Sequence, residues 1–376
     1  MKNDVKVKEK KTREPFIHIT KRAALPLTKA ILIRVIAILA ALIFCGIITI
    51  FVTGDNPFSI YATIFDGAFG TSVRIWRTFL EISMLLAVAL GLTAAFKMKF
   101  WNIGGEGQIL IGALATAVCM FYIGNSVPHW ALILIMLVCS ILAGAFWGLL
   151  PALFKAHFGT NETLFTLMMN YVSIQLVRFF LNVADKSGQS TIGPTELTHG
   201  WLPEIIHPYF LSILVVAVLT VVMYIYLKYT KHGYEISVVG ESENTARYIG
   251  INVKKVLLRT MAISGAICAL VGFLLVGGTH HGITTSTADS RGFTAIMVSW
   301  LAHFNPFMMV LTSALIIFMA HGAEEVSSVF GLNASFADIL TGIILFFIIG
   351  CEFFVNYQLH VNRKKKNLAD EAKEVA

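Results

Sequence analysis

The sequence predicts an all-α polytopic membrane protein, and three observations carry that prediction. Mean hydropathy is +0.74, and 56% of the 376 residues are apolar. Charged residues make up only 14% of the chain, against about 25% in soluble globular proteins. The net charge is +7, but the basic residues cluster at the ends of apolar stretches. That clustering is typical of membrane orientation and argues against nucleic-acid binding.

About ten apolar segments are candidate transmembrane spans, because a helical crossing needs roughly 20 residues. In chain order they cover residues 30–52, 79–96, 106–124, 129–153, 162–183, 208–228, 257–278, 293–304, 306–321 and 335–356. The eighth and ninth segments are short. Full crossings, half-helices and a re-entrant pair therefore all stay open for this part of the chain.

Lysine and arginine residues predict the orientation of these spans. With the N-terminus inside, 24 of the 29 basic residues fall in cytoplasmic segments. Both termini are then cytoplasmic, which requires an even number of crossings and favours counting 293–321 as two crossings or none. The same count allows two four-span halves of inverted orientation, as found in many transporters.

The pattern divides the chain into three regions. Residues 1–29 form a basic cytoplasmic N-terminal tail, residues 30–356 the transmembrane domain, and residues 357–376 a charged cytoplasmic C-terminal tail. The first apolar segment begins too late and is too long for a cleavable signal. Within the transmembrane domain, residues 229–256 form the largest cytoplasmic loop.

A polar, glycine-rich turn interrupts an apolar region at WNIGGEGQ. Irregular backbone is tolerated inside a bilayer only where protein covers it or where it lines a water-filled cavity. An ionisable residue at such depth is expected to be functional. Two interpretations remain open: direct contact with a polar solute, or a structural hairpin in which the carboxylate caps the helix that begins there. The candidate residues of the solute path are Asn102, Gly104, Gly105, Glu106 and Gln108.

A second polar stretch is GTNETLFTLMMNY, which opens the fifth predicted span. Thr160 or Asn161 is a plausible N-cap. Asn170 and Gln175 lie deeper in the span and are further candidates for the solute path. The alternative is that these polar side chains only hydrogen-bond between neighbouring helices.

Intramembrane acidic residues give little support to a proton relay. Glu81, Glu106, Asp338 and Glu352 are scattered along the sequence rather than paired with basic residues. Near the end of the seventh span, the adjacent His280 and His281 do not share a helix face, so a metal site is disfavoured. Asp289 and Arg291, which follow them, are expected outside the membrane or at the mouth of the path.

The cytoplasmic loop holds a possible docking element. Its acidic start at Glu241 and the stop at Gly250 predict a short helix with a small apolar patch. A helix between spans can dock a soluble partner, while an ordinary cytoplasmic loop is the equally open alternative. The candidate residues for coupling to a partner are Glu241, Asn244, Ala246, Arg247, Tyr248 and Gly250.

Catalytic and metal-binding motifs are missing from the sequence. It contains no GxxxxGK[ST] phosphate loop, no HExxH and no GxSxG motif. The five cysteines lie in apolar segments without metal-site spacing. We therefore predict no catalytic residue, no metal and no cofactor in this chain, so the energy for transport must come from a partner or from a gradient.

Several of these segments resemble the permeases of ATP-binding-cassette importers, in the branch that carries simple sugars and nucleosides within the branched-chain amino acid and ribose-type permease superfamily. The resemblance spans about residues 55–355. It is carried by NIGGEGQ (Asn102–Gln108), TNETLFTLMMNY (Thr160–Tyr171), VGESENTARYIGI (Val239–Ile251), ISGAICALVG (Ile263–Gly272) and RGFTAIMVSWLAHFNP (Arg291–Pro306).

The resemblance implies a function and a set of partners. It implies a multi-pass permease subunit of the bacterial cell membrane that carries a small polar solute. Nucleosides are the first expectation for this solute, and simple sugars are the second. The loop Glu241–Ile251 matches the family's coupling helix, which docks on a separate ATPase that binds the ATP. A second permease, related or identical, and an extracytoplasmic substrate-binding lipoprotein complete the assembly. A gradient-driven secondary transporter and a non-transporting scaffold are the alternatives.

Overall fold

Helices account for most of the chain in the computed structural model, which describes residues 17–21, 26–54, 56–184 and 191–361. Thirteen α-helices occur among these residues: α1 (Leu27–Thr53), α2 (Pro57–Phe69), α3 (Ser72–Lys97), α4 (Gly105–Ile123), α5 (His129–Phe158), α6 (Glu162–Ala184), α7 (Phe210–Tyr229), α8 (Lys231–Glu241), α9 (Glu243–Tyr248), α10 (Val253–Leu275), α11 (Arg291–Leu301), α12 (Pro306–Val329) and α13 (Ala334–Asn356).

The polytopic all-α fold predicted from the sequence is confirmed, with one segment resolved into a half-helix. Nine of the described helices are long and apolar enough to cross a membrane. The eighth predicted span, 293–304, corresponds to α11, whose 11 residues reach about 16 Å at 1.5 Å per residue. That length is roughly half of a hydrocarbon core. The ninth predicted span is the start of α12, a helix of full length.

The half-helix runs parallel to the second half of α3. Arg291 contacts Glu81, and the Ser299 hydroxyl, further along α11, donates to the carbonyl oxygen of Ala89. Helix α12 then runs back along α3, with Met309 near Thr93 and, further on, His321 at Thr78. The chain thus passes along α3 once through α11 and the segment before it, and once through α12. The even number of crossings stays a prediction, since nine described helices are long enough to span and α11 is a half-helix.

Two short strands depart from the all-α pattern. Ile17–Lys21 pairs antiparallel with Tyr357–Val361, which joins the two ends of the described chain. The rest of the predicted tails, in residues 1–29 and 357–376, lies largely outside the described residues. The strands belong to a unit that combines the chain ends, residues 1–57 and 339–376.

In that terminal unit, α1 packs on α13 through an ion pair and aromatic rings. The Arg34 Nε lies 2.7 Å from the Glu352 carboxylate, and the Phe44 and Phe347 ring centroids are 5.7 Å apart. The sequence-based view of Glu352 as unpaired is therefore wrong. Its partner lies more than three hundred residues away, on another helix, so no local spacing reveals it.

Small residues bring α5 and α10 into backbone contact at the centre of the second unit, residues 58–338. A Cβ at Gly265 would overlap the carbonyl oxygen of Gly144, and a Cβ at Gly144 would overlap the Ala269 side chain. The Ser140 hydroxyl donates to the Ala269 carbonyl at 2.8 Å in the same interface. Close approach through small residues is the usual way that membrane helices associate, because lipid supplies no hydrophobic drive between them.

We predict that Gly265→Val lowers thermal stability strongly, because the branched side chain must separate two helix backbones. Overpacking of this kind costs on the order of 1–3 kcal/mol. The thermal midpoint of the detergent-solubilised protein measures the effect. Gly342→Ala is the matched control, since a Cβ there meets nothing within 4 Å, and its midpoint should stay unchanged or rise slightly. Equal midpoints for both variants would contradict the proposed packing.

Candidate functional site

The chain leaves regular helix geometry between α10 and α11. After α10, a π-helical turn covers Val276–His280, and the next helix begins only at Arg291. Asp289 and Ser290, just before α11, have φ of 50° and 57°, values that non-glycine residues seldom adopt and that cluster at functional sites. We refer to residues 281–290, where the chain turns back toward α3 before it continues through α11, as the re-entrant segment.

The re-entrant segment dips into the depth of the bundle. Arg291, at its end, contacts Glu81, which lies roughly 14 Å along α3 from Ser72 at 1.5 Å per residue. A polar, irregular backbone at that depth must be covered by protein or line a water-filled cavity. Lining of a water-filled cavity fits best at Asp289, whose side chain is 76% exposed.

A polar cavity of about 440 Å³ opens beside this segment, and we call it the outer cavity. Because of its hydroxyl, carboxylate and guanidinium groups, a small hydrophilic solute fits it better than an acyl chain does. Its lining residues are Arg77, Glu81, Thr191, Ile192, Gly193, His280, Gly282, Ile283, Thr284, Ser286, Thr287, Asp289 and Arg291.

A largely buried ion pair lies at the end of the re-entrant segment, where α11 begins. The Arg291 Nη2 lies 2.6 Å from the Glu81 carboxylate, and the two side chains are only 9% and 17% exposed. Arg291 also donates to the carbonyl oxygens of Thr287 and Ala288. The sequence-based expectation that Glu81 has no basic partner is therefore wrong. A lone buried charge would be strongly destabilising, and this pairing removes that cost.

The NIGGEGQ turn is held by side-chain amides. The Asn102 Nδ2 donates to the Ser264 hydroxyl at 3.2 Å and to the Gln108 Oε1 at 3.4 Å, while its Oδ1 accepts the Gly104 N–H at 2.9 Å. Asn102 and Gln108 are at most 1% exposed. In this conformation both side chains hold the turn, and neither lines the outer cavity.

Helix α6 completes the support of that turn. The Asn170 Oδ1 accepts the Gly107 N–H at 2.9 Å, and its Nδ2 donates to the Ile103 carbonyl at 3.0 Å. The Thr166 hydroxyl accepts the Ile103 N–H at 3.1 Å. Gln175 does not join this cluster, because it lies on the exposed face of α6 beside Arg178.

Glu106 connects the turn to α11. Its Oε1 accepts the Ser290 N–H and its Oε2 accepts the Gly292 N–H, both at 2.9 Å. The carboxylate lies in the first turn of α4 but caps α11. The capping interpretation thus holds for a different helix from the one suggested by sequence. Gly105 packs beside the same Gly292, so the two irregular segments meet here.

An aromatic cavity lies at the other end of α11. Trp101 and Trp300 stack with centroids 5.3 Å apart, and each is 45% exposed. We call this space of about 410 Å³ the inner cavity. Phe100, next to Trp101 in the sequence, is buried and is not among the residues that line this cavity. The lining residues are Phe96, Lys97, Lys99, Trp101, Ser237, Gly240, Glu241, Trp300 and Phe304.

The cytoplasmic loop folds into α8 and α9, with Ser242 as the cap between them. The Ser242 hydroxyl accepts the Thr245 N–H at 3.2 Å, and Gly250 follows α9 with φ of 85°. The coupling candidates lie on the surface of this loop apart from one small residue that anchors it. The buried residue is Ala246, and the exposed candidates are Glu241, Asn244, Arg247, Tyr248 and Gly250.

Sequence reasoning missed several residues that build this site. Ser264, Thr166 and Ser290 contribute hydrogen bonds to the two irregular segments, yet each is an ordinary small polar residue in the sequence. The left-handed backbone at Ser290 has no sequence signal either. Among the residues that the structure describes, no group of three or more His, Cys, Asp or Glu side chains could hold a metal ion.

A bundle of membrane-length helices with a half-helix between two cavities is the architecture of a multi-pass membrane protein. The chain belongs to the family described as branched-chain amino acid transport system / permease component, whose match covers residues 74–349. It is thus a permease component of a transport system.

Three relatives agree with this assignment. A glucose ABC transporter permease protein of Haloferax volcanii is 28% identical and covers 87% of this chain and 89% of its own length. A guanosine ABC transporter permease protein of Bacillus subtilis is 27% identical, with 85% and 92% covered. A nucleoside ABC transporter permease protein of Lactococcus lactis is 26% identical, with 85% and 91% covered.

Two amides on α6 give a direct test of the site. We expect Asn170→Ala to reduce transport at least about tenfold and to lower the thermal midpoint, because it leaves the Gly107 N–H and the Ile103 carbonyl without partners. A buried unsatisfied group costs about 1–3 kcal/mol. Gln175→Ala, on the exposed face of the same helix, should leave both quantities unchanged. Loss of transport in Gln175→Ala alone would reverse this assignment.

Proposed function

We propose that this chain forms the translocation path for an uncharged small polar solute, a nucleoside or a simple sugar, in an importer driven by a separate ATPase. The observation that carries the proposal is α11, a half-helix whose two ends lie at a polar outer cavity and an aromatic inner cavity. The named solutes of the relatives, guanosine, nucleosides and glucose, support the same solute classes.

The site offers both kinds of surface that such solutes need. Hydroxyl and carboxylate groups at Thr284, Ser286 and Asp289 in the outer cavity can hydrogen-bond the hydroxyls of a sugar. Trp101 and Trp300 in the inner cavity offer ring faces for a nucleobase or a pyranose ring. Nothing in this pairing requires a charged solute.

The proposed ATPase contact is the surface of α8 and α9. Tyr248 is 95% exposed and Ile249 is 52% exposed, so α9 presents apolar and aromatic area outside the bundle. Exposed aromatic residues are favoured as anchors in protein interfaces. Since the sequence lacks a phosphate loop, the ATP is proposed to bind to the partner, with no cofactor in this chain.

Helix α8 contacts two long helices of the bundle directly. A Cβ at Gly240 would overlap the Lys97 carbonyl oxygen, so α8 lies directly against the end of α3. The Arg259 Nη2 donates to the Glu235 carboxylate at 2.9 Å, and this hydrogen bond lowers the pKa of Glu235 below its usual value. These contacts link α8 to α3 and α10, two helices that support the site.

The remaining partners proposed are a second permease, identical or related, and an extracytoplasmic substrate-binding lipoprotein. A single permease chain gives one wall of a path, and the exposed face of α11, with Phe293 and Trp300, suits the facing surface of another copy or of a related chain. The outer cavity is the natural place for a delivered solute to enter.

The assembly is tested by purification and uptake. We expect the chain to copurify with an ATPase in mild detergent, and uptake of labelled guanosine or glucose to stop when ATP is depleted. The alternative, a gradient-driven secondary transporter, predicts that uptake instead collapses with an ionophore at constant ATP. Uptake that survives ATP depletion would overturn the proposal.

The coupling surface yields a separate prediction. Tyr248→Ala and Arg247→Glu should reduce ATPase stimulation by the permease at least about fivefold while the thermal midpoint stays constant. The Tyr248 side chain is almost fully exposed. The Arg247–Glu243 ion pair is also exposed, so loss of this pair costs under about 1 kcal/mol. Tyr122→Ala is the control, because Tyr122 is 59% exposed and lies near the C-terminal end of α4, outside α8 and α9. Normal stimulation in both variants would exclude α9 as the contact.

A further inference from the structure

Two helix N-termini meet head to head in the middle of the site. Helix α4 begins at Gly105 and α11 at Arg291. The approach is so close that a Cβ at Gly292 would overlap the backbone nitrogen of Glu106. Each N-terminus has N–H groups that lack a partner within the helix, and each carries a partial charge of about +0.5. The two ends therefore repel each other unless a negative group lies between them.

The carboxylate of Glu106 is that negative group. One oxygen binds the Ser290 N–H and the other the Gly292 N–H, each at 2.9 Å. The nearest cation, Arg291, is paired with Glu81 at 2.6 Å. Glu106 is thus committed to the junction of the two helices and not to a side-chain base.

In transporters with broken helices, N-termini at the midplane bind the anionic group of the solute, as helix N-termini bind anions in general. Here a carboxylate of the protein itself takes that position. We propose that Glu106 is a built-in counter-anion, which makes the path select uncharged solutes and reject carboxylates. This inference rests on the proposed function and specifies its solute class.

The junction borders the outer cavity through Asp289 and Arg291, which line that cavity on either side of Ser290. Glu106 is half-buried, while Ser290 and Asp289 beside it are exposed. A carboxylate solute passing here would meet the charges of Glu106 and Asp289 and would find the N–H groups already occupied. An uncharged solute meets no such repulsion, because its hydroxyls can donate to both carboxylates.

Replacement of the missing group by a small anion tests the inference. Glu106→Ala removes the equivalent of one acetate, so the reconstituted transporter should lose uptake at least about tenfold, as expected for two lost hydrogen bonds to a charged group. Sodium acetate should restore a measurable part of uptake and raise the thermal midpoint of the variant. Sodium gluconate, too large for the vacated space, should do neither.

Matched variants separate charge from stability. Glu162→Ala removes the same group from the first turn of α6, where it pairs with Lys155, and should show no acetate response. Glu106→Gln keeps the size of the side chain but loses the charge. With this variant, glucuronate should gain inhibition of glucose uptake, or of guanosine uptake if that is the better substrate, relative to the wild type.

The outcomes distinguish this inference from the proposed function. If the wild-type complex takes up neither guanosine nor glucose in an ATP-dependent way, the proposed function fails. If the wild type transports normally, the inference fails in either of two cases: Glu106→Ala retains full uptake, or acetate changes neither its uptake nor its midpoint. A well-folded Glu106→Gln that rejects glucuronate as strongly as the wild type would also overturn the selection against carboxylates.

Discussion

The structure depends on one constraint, which is that a backbone inside a bilayer must find internal partners wherever it leaves helix geometry. This chain leaves helix geometry twice in one region, at the NIGGEGQ turn and in the re-entrant segment. The two irregularities are resolved together. Glu106, from the first, accepts the N–H groups of Ser290 and Gly292 at the end of the second, while Asn102 within the turn and Asn170 on α6 bind the backbone of the first.

This arrangement links the proposed solute path to the surface of α8 and α9 through few elements. Trp300 near the end of α11 and Glu241 at the end of α8 line the same inner cavity. A partner that binds α8 and α9 more tightly in one conformation shifts the equilibrium only by that difference in affinity. The inner cavity and the close approach of α8 to α3 at Gly240 connect the surface of α8 to the end of α11.

Much of the fold could be predicted from the sequence, while most of the site could not. Hydropathy marks the long helices because their lipid-facing surface dominates composition, and Ser242 and Gly250 mark α9 by local turn chemistry. The sequence also predicts that Gln175 and Asn170 lie on different faces of α6. Five residues rotate by about 140° on a helix of 3.6 residues per turn. The partners of Glu81 and Glu106 lie about two hundred residues away, so only the tertiary fold reveals them.

The charges of the broken-helix region nearly cancel, and this balance explains why it can lie so deep. Glu81 and Arg291 neutralise each other as a buried pair. The two helix N-termini contribute about +0.5 each, and the carboxylate of Glu106 offsets their sum. Asp289 lies 3.7 Å from the same Arg291 guanidinium, and its side chain is 76% exposed at the outer cavity, where water can solvate it. Any further fixed charge brought by a solute would disturb this balance in a medium of low dielectric constant, where uncompensated charge is most costly.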